Sequence, residues 1–494
     1  MTPETCSMHF RPARNWMNDP NGLIRHRDRY HLFYQYNPHG PTHGFMSWGH
    51  ASSTDLVTWQ EHPVAIGYTP TDEIFSGSAV FDAQNTSGLG SDGVAPLVAI
   101  YTLAGERQTQ GIASSLDGGL TWTPYPGNPV LDRKSAHFRD PKVFRYAGIE
   151  GEYWVMVAVE AVERRVVLYR SDDLITWAYL SDYGPRGATE GVWECPDLFP
   201  LAIDGDPDDV RWVLLISINP GGIAGGSGTQ YVIGRFDGVR FVADEAPPRR
   251  EAGAMASRTE LAELDWLDHG RDCYAGVTFA GLPDDERTLI AWMSNWDYAG
   301  ALPVDDDAPR RGAMTLARRL SLVRLGGRVL LRQRVVAPAV NAGETFVDTT
   351  VAADEPLRTE LPVRCRVEVV ADIAPGASLH LNLGGSAVVE VDATTVRLDR
   401  RPGAAEMPAG FASVESVALA TDGVVSLELW LDHDSVELFA DDGTRVITDL
   451  LAERGAALVV SAQGGDVLLR RLAIDPVRVD TRARDTAVTS VIGA

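Results

Sequence analysis

A short polar turn closing on an aromatic residue recurs along the chain. SSTDLVTW ends at Trp59, SSLDGGLTW at Trp122 and RSDDLITW at Trp177, and GRFDGVRF, ending at Phe241, is a weaker copy. The spacings are 63, 55 and 64 residues. In each copy Asp or Gly relieves backbone strain, and the aromatic anchors the returning strand in a core. Repeats of this kind constrain a fold strongly. Each is one supersecondary unit that buries its apolar face only against its neighbours.

Paired apolar runs separate these turns. They are NGLIRHRDRYHLFYQYNP, then SGSAVFD with PLVAIYTL, DPKVFRYAGIEGEYWVMVAVE, CPDLFPLAIDGDPDDVRWVLLISINP and YAGVTFAGLPDDERTLIAWMSNW. They are short and rich in Val, Ile, Tyr, Phe and Trp, so they read as strands. Five such units predict a five-bladed β-propeller over residues 1–335, although the periodicity alone also fits four or six blades. Residues 336–349 read as a linker or docking segment. Residues 350–494 alternate through short strands such as SLHLNLGG and VSLELWLDHDSVELFADD. This predicts a β-sandwich that stabilises the first domain or contacts carbohydrate. The fold class is all-β.

Composition narrows the function. A 45 % hydrophobic content supports a large core in these 494 residues, and the net charge of -24 excludes the positive footprint of a nucleic-acid binder. Attraction to anionic membranes is excluded on the same ground, and no apolar run reaches the ~18 residues of a membrane helix. Cys6, Cys195, Cys273 and Cys365 are too few and too scattered for a disulfide framework or a zinc site. With no secretory leader legible at the start, a cytoplasmic location is expected, or a secreted one where a leader has been removed.

Three acids stand at equivalent places: Asp19 in NWMNDPNG, Asp140 in HFRDPKVF and Glu194 in WECPDLF each closely precede a predicted strand. In a propeller the innermost strands surround one axis, so these distant acids are expected to share a pocket. Paired carboxylates serve glycoside hydrolysis, one ionised and one holding a proton. The competing reading is that acids are simply common in propeller turns, and spacing alone does not decide between the two. His9, His26, His31, His50 and His137 match no compact metal pattern, and nucleotide-binding glycine loops are absent. Trp16, Trp48 and Trp193 are core candidates.

NWMNDPNG (15–22), FSGS (75–78), RDP (139–141) and ECPD (194–197) resemble, in order, the signature of glycoside hydrolase family 32. That family includes invertases, β-fructofuranosidases, levanases and inulinases. DCYAGVTF, LIAWMSNW, RRGAMTLARRL and DSVELFADDG resemble its later segments, so the resemblance spans essentially the whole chain. It implies a propeller followed by a sandwich. It implies Asp19 as nucleophile, Glu194 as general acid/base and Asp140 as transition-state stabiliser. Asn18, Gln35, Phe75, Ser76, Arg139, Tyr274 and Trp292 are implied to wall a fructose pocket, with Arg139 also pairing a carboxylate. Cys195 is expected to tune Glu194 through packing or a weak S–H bond. One departure stands out: in FYQYNPHGPTHGFMSWGH, His43 replaces a tryptophan common in the family. It exchanges a stacking platform for a hydrogen-bonding ring.

The resemblance implies a retaining hydrolase that acts on terminal β-fructosyl units without metal or organic cofactor. Its partner is a small fructoside or a fructan, and the oligomeric state is left open. Fructosyl transfer and endo-acting cleavage would use the same centre. A non-catalytic carbohydrate-binding propeller and an arabinofuranosidase are more distant readings.

Overall fold

The computed structural model describes residues 7–148, 151–304, 308–420 and 423–478. Cys6 and the expected end of the second domain, 479–494, lie outside the described residues. Regular structure is almost all strand.

Five antiparallel blades of four strands make up the first domain. Blade 1 runs Asn15–His26, Arg29–Asn37, Ser47–Ser53 and Gln60–Ile66; blade 2 runs Glu73–Phe81, Leu97–Ala104, Gln108–Ser115 and Thr123–Pro124. Blade 3 is Phe138–Gly148, Gly151–Glu160, Arg165–Ser171 and Ala178–Tyr183, and blade 4 is Val192–Ile203, Asp206–Asn219, Gly228–Phe236 and Phe241–Ala243. Blade 5 is Tyr274–Thr278, Thr288–Trp292, Arg318–Leu325 and Arg328–Val335. The first strand of each blade packs on the first strand of the next, and that of blade 5 packs on that of blade 1. This closed ring selects five blades over four or six. Arg310–Arg311 completes the closure by pairing in parallel with Asn15 and Trp16.

The repeated turn is the hairpin between the third and fourth strands of a blade. In blade 1, Ser53 Oγ accepts from the Leu56 N–H at 2.8 Å, while Asp55 Oδ1 accepts from those of Val57 and Thr58 at 2.9 and 2.7 Å. Ser171 and Asp173 repeat this in blade 3, and Asp117 and Asp237 do so in blades 2 and 4. Side-chain oxygens thus satisfy backbone donors that a tight turn leaves without partners. Trp59 and Phe241 then return into the core, and Trp122 and Trp177 pack partly buried against it. Blade 5 carries no copy of the motif. Its hairpin is closed by Gly326 and Gly327, with φ of 57° and 79°, which suits a two-residue turn.

Two six-stranded sheets form the second domain. One is built on Cys365–Asp372 and Val467–Pro476, the other on Ser378–Leu383 and Ala457–Gln463. Cys365–Asp372 alternates buried and half-buried positions, and Val367, Leu379, Leu429 and Leu472 meet in the core between the sheets. The first sandwich strand is Glu344–Val351, so the segment expected as a linker enters the sheet at its last residues.

The domains meet across buried charge. Arg318 of blade 5 donates to Glu437 at 2.6 Å and to Asp268 at 3.0 Å, fully enclosed. His9 bridges Asp432 and Glu437 at 3.0 and 2.9 Å. Burial opposes the His9 charge, but the two carboxylates outweigh it and raise its pKa to about 9. The sandwich acids Asp432 and Glu437 thus serve as structural partners at the domain interface.

Candidate active site

Every innermost strand bulges at the same height. Register slips between Met17 and Pro20, Phe75 and Gly77, Arg139 and Lys142, Glu194 and Asp197, and Tyr274 and Val277. The residues left without ladder partners are Asn18-Asp19, Ser76, Asp140-Pro141, Cys195-Pro196 and Ala275-Gly276, with Pro20 and Gly77 directly after the first two. Proline suits a bulge because it has no N–H to give the ladder. Gly77 suits one because a Cβ there would lie 2.1 Å from the Ile100 carbonyl oxygen. Asp140, Cys195 and Ala275 take φ of 62°, 45° and 53°, strained values for non-glycine residues. The bulges re-aim side chains of all five blades toward the axis.

Asp19, Asp140 and Glu194 converge there. Asp19 Oδ2 accepts from Ser76 Oγ at 2.7 Å and from Cys195 Sγ at 3.5 Å. Its Oδ1 is shielded and takes no hydrogen bond from any described residue. Burial and then the Glu194 charge raise the Asp19 pKa to about 6, against the pull of its hydrogen bonds. Asp140 Oδ2 accepts from the Cys195 N–H at 2.9 Å, and the Asp140 N–H donates to Thr102 Oγ1 at 3.0 Å. Burial is the main cause that pushes the Asp140 pKa up; Arg139 opposes it and Glu194 adds to it. Glu194 is gripped from two sides. Arg139 Nη2 donates to Oε1 at 3.0 Å, and the Tyr274 hydroxyl donates to Oε2. Burial and Glu194 hold the Tyr274 pKa far above its usual range, so it stays a donor.

Cys195 differs from expectation. Its thiol faces Asp19 and Asp140, at 3.5 and 3.8 Å, because the bulge turns it away from the preceding Glu194. Burial, then the charges of Asp19 and Asp140, push its pKa up, so the S–H persists.

Of the expected wall residues, Ser76, Arg139 and Tyr274 bond the acids directly. The Asn18 side chain accepts from Trp16 Nε1 at 2.8 Å, and Gln35 donates to Asn21 and to the Ile74 carbonyl at 2.8 and 3.0 Å. Phe75 is half-buried, and its carbonyl accepts from Trp48 Nε1 at 3.0 Å. His43 presents one face to solvent, while its ring lies 5.4 to 6.3 Å from Trp296, Trp16 and Phe75. Those rings desolvate it and lower its pKa, with Glu73 and Glu194 opposing. Trp292 is fully enclosed, with its ring 6.0 Å from that of Trp16 and 4.9 Å from that of Trp296. Trp48 and Trp193 are core residues.

Sequence reasoning missed Trp296, whose half-buried ring stacks on Trp16 at 5.8 Å. It also missed Lys142 and Asp197, a 3.0 Å ion pair buried below the acids. Of the histidines considered for metal, His31 and His50 contact each other at 3.0 Å and His9 serves the domain interface. Among the described residues no group of three or more His, Cys, Asp or Glu is placed to hold a metal ion. A cavity of about 640 Å³ opens beyond that ion pair, at the far ends of the innermost strands and away from the acids.

Unlike carboxylates facing one pocket are what glycosidic cleavage requires, so fold and site together define a propeller glycosidase. Comparison makes this specific. Residues 9–333 match the glycosyl hydrolases family 32 N-terminal domain, and residues 385–474 match that family's C-terminal model. The chain belongs to glycoside hydrolase family 32. A levanase of Bacillus subtilis is 39 % identical over 95 % of this chain and 70 % of its own length. The crystal structure of exo-inulinase from Aspergillus awamori superposes with a TM-score of 0.88 at 34 % identity, covering 95 % of this chain and 98 % of that one. β-Fructofuranosidase from Schwanniomyces occidentalis, solved with fructosyl-erythritol, gives 0.86 at 29 % identity over 96 % and 97 % of the two chains.

Proposed function

We propose that the protein is a retaining β-fructofuranosidase releasing terminal fructose from sucrose, fructooligosaccharides or fructans. The observation that carries this reading is the asymmetry of the carboxylates. Asp19 Oδ1 is shielded and makes no direct hydrogen bond, though the Asn18 side chain draws on the carboxylate, whereas Glu194 accepts a hydrogen bond on each oxygen. In this reading Asp19 Oδ1 attacks C2 of a terminal β-fructosyl unit, and Glu194 gives its proton to the departing oxygen. Positive charge develops on C2 and the ring oxygen, and Asp140 stabilises it electrostatically while accepting from ring hydroxyls. Glu194, now ionised, takes a proton from water, which attacks C2 and frees Asp19 with net retention.

Relatives named levanase, exo-inulinase and β-fructofuranosidase support the substrate class. Transfer to a sugar hydroxyl is the second reading, because the same intermediate accepts any correctly placed hydroxyl. The test is a product time course with sucrose, raffinose, short fructooligosaccharides, levan and inulin. Monomeric fructose as the sole early fructan product supports exo hydrolysis. Early oligomers would replace it with endo action, and growing oligofructosides at high sucrose with transfer. No turnover of any fructoside would refute the proposal.

A further inference from the structure

The sandwich sends one enclosed side chain against the part of the propeller that bears the pocket. Arg400 directly follows the strand Thr395–Asp399 and is 1 % exposed. Its Nη1 donates to Asp272 Oδ2 at 2.7 Å and to the Leu450 carbonyl at 3.0 Å. Its Nη2 donates to the Tyr298 hydroxyl at 2.9 Å, and its Nε to Ser413 Oγ at 2.9 Å. Four of the five guanidinium N–H donors are thus engaged. The Tyr298 hydroxyl in turn donates to Asp272 Oδ1 at 2.6 Å, which closes a triangle of side chains. Phe411 of the sandwich packs on this triangle, its ring centroid 4.1 Å from the guanidinium carbon and 5.5 Å from the Tyr298 ring.

Both propeller partners of Arg400 stand two residues from the pocket. Asp272 precedes Tyr274, which donates to Glu194, and Tyr298 follows Trp296, which stacks on Trp16. The two segments are also tied to each other. Asn295 Nδ2 donates to the Arg271 carbonyl at 2.8 Å, and Arg271 pairs with Asp297 at 2.5 Å. Tyr274 stands immediately before the bulge of blade 5, and Ala275 and Gly276 have no ladder partner to hold it from that side. Its position therefore depends on its pairing with Trp292 and on the anchor at Asp272. A buried ion pair adds little net stability, because desolvation offsets the attraction. A planar guanidinium with several directed bonds does fix geometry.

We propose that Arg400 is a positioning residue for the hydrolytic centre. Through Asp272 and Tyr298 the sandwich sets the Tyr274 hydroxyl on Glu194, and so aligns the proton donor with the departing oxygen. The proposal rests on the fructosidase reading, in which Glu194 is that donor. It gives the second domain a part in the chemistry that neither stabilisation nor sugar contact describes.

The test compares kcat/KM on sucrose with kcat/KM on a fructoside whose activated leaving group departs without an acid. A loss of folded enzyme lowers both alike and cancels in their ratio. So does any loosened contact to the fructosyl unit that the two substrates share. Arg400→Met keeps a long side chain without the charge, and should lower the ratio of sucrose to activated fructoside about ten-fold. Tyr298→Phe removes one hydroxyl and keeps the ring, so it decides the matter if Arg400→Met does not fold; it should shift the ratio the same way by less. His9→Gln loosens the same domain interface at Asp432 and Glu437 and should leave the ratio unchanged. An unchanged ratio in Arg400→Met, or in Tyr298→Phe where only that variant folds, overturns the proposal whatever the loss in melting temperature. An equal fall in His9→Gln overturns it as well. Should wild type cleave no fructoside, the fructosidase reading fails by itself, and hydrogen exchange then decides the anchor. Faster exchange over 271–274 and 295–298 in Arg400→Met than in His9→Gln supports it, and equal exchange sinks it.

Discussion

Replacing Asp19 by asparagine should abolish turnover and, above neutral pH, make the protein more stable. The Asp19 pKa rises from 3.8 to about 6 through burial and the Glu194 charge. A shift of roughly two units is worth about 3 kcal/mol. Its sign follows from linkage. The folded state holds the Asp19 proton more tightly than the unfolded chain, so this group's stabilising contribution is complete below pH 3.8 and disappears as pH rises through about 6. At pH 7.5 the wild type folds around an ionised carboxylate that the unfolded chain would hydrate, whereas the asparagine variant has no charge to desolvate at this position. The amide retains an acceptor oxygen for Ser76, so the 2.7 Å contact survives. Thermal unfolding of both proteins at pH 4.5, 6 and 7.5, in one buffer series and at one scan rate, reads the difference. The variant should gain about 4 °C over wild type at pH 7.5 if the propeller melts as a unit, and the gain should shrink to about a third of that at pH 4.5. A gain that does not change with pH, or a variant less stable than wild type at pH 7.5, would refute the electrostatic account of this site.

The acid limb of kcat/KM should fall near pH 6, because Asp19 must be ionised to attack, and a limb near pH 4 would mean that the pocket does not desolvate it. Cys195→Ala removes an S–H donor that lowers the Asp19 pKa, so that limb should move upward in the same pH–rate measurement. Glu194→Gln should slow sucrose hydrolysis by about 10² to 10⁴-fold, while a fructoside with an activated leaving group is largely spared in its first step. Arg318→Leu strands Glu437 and Asp268 in the domain interface and should cost about 3–5 kcal/mol, read as a lower melting temperature and faster proteolysis.

How far the chain could be read in advance differs between its layers. The blades were legible because Ser53-x-Asp55 and Ser171-x-Asp173 satisfy turn donors through side chains, and such chemistry must be spelled out in sequence. Blade 5 escaped that pattern because two glycines achieve the same reversal by backbone conformation alone. The acids were legible through their proline and glycine neighbours, since a bulge at one height in each blade needs such dipeptides. Which way a bulged side chain then turns was not legible. Cys195 follows Glu194 in sequence yet faces Asp19, and that direction follows from its φ of 45°. Trp292 and Trp296 carried equal signals. The strand register encloses the first, while the turn beyond residue 294 brings the second against Trp16.

The interface charges follow another rule. His9, Arg318, Asp432 and Glu437 are scattered along the chain, and no local pattern announces their meeting. Their electrostatics nevertheless oppose those of the catalytic pocket. His9 is held charged, its pKa raised to about 9, so its stabilisation is complete below pH 6.5 and is lost as pH rises through about 9. Asp19 loses its contribution earlier, through about 6. From pH 6.5 upward His9 therefore weakens the domain interface, while the Asp19 penalty is already close to complete. His9→Gln should flatten the alkaline decline in melting temperature between pH 7 and 9.5 without moving the acid limb of the rate profile. If it moves that limb as well, the interface and the pocket are coupled through blade 5, and the two charge systems cannot be treated as independent.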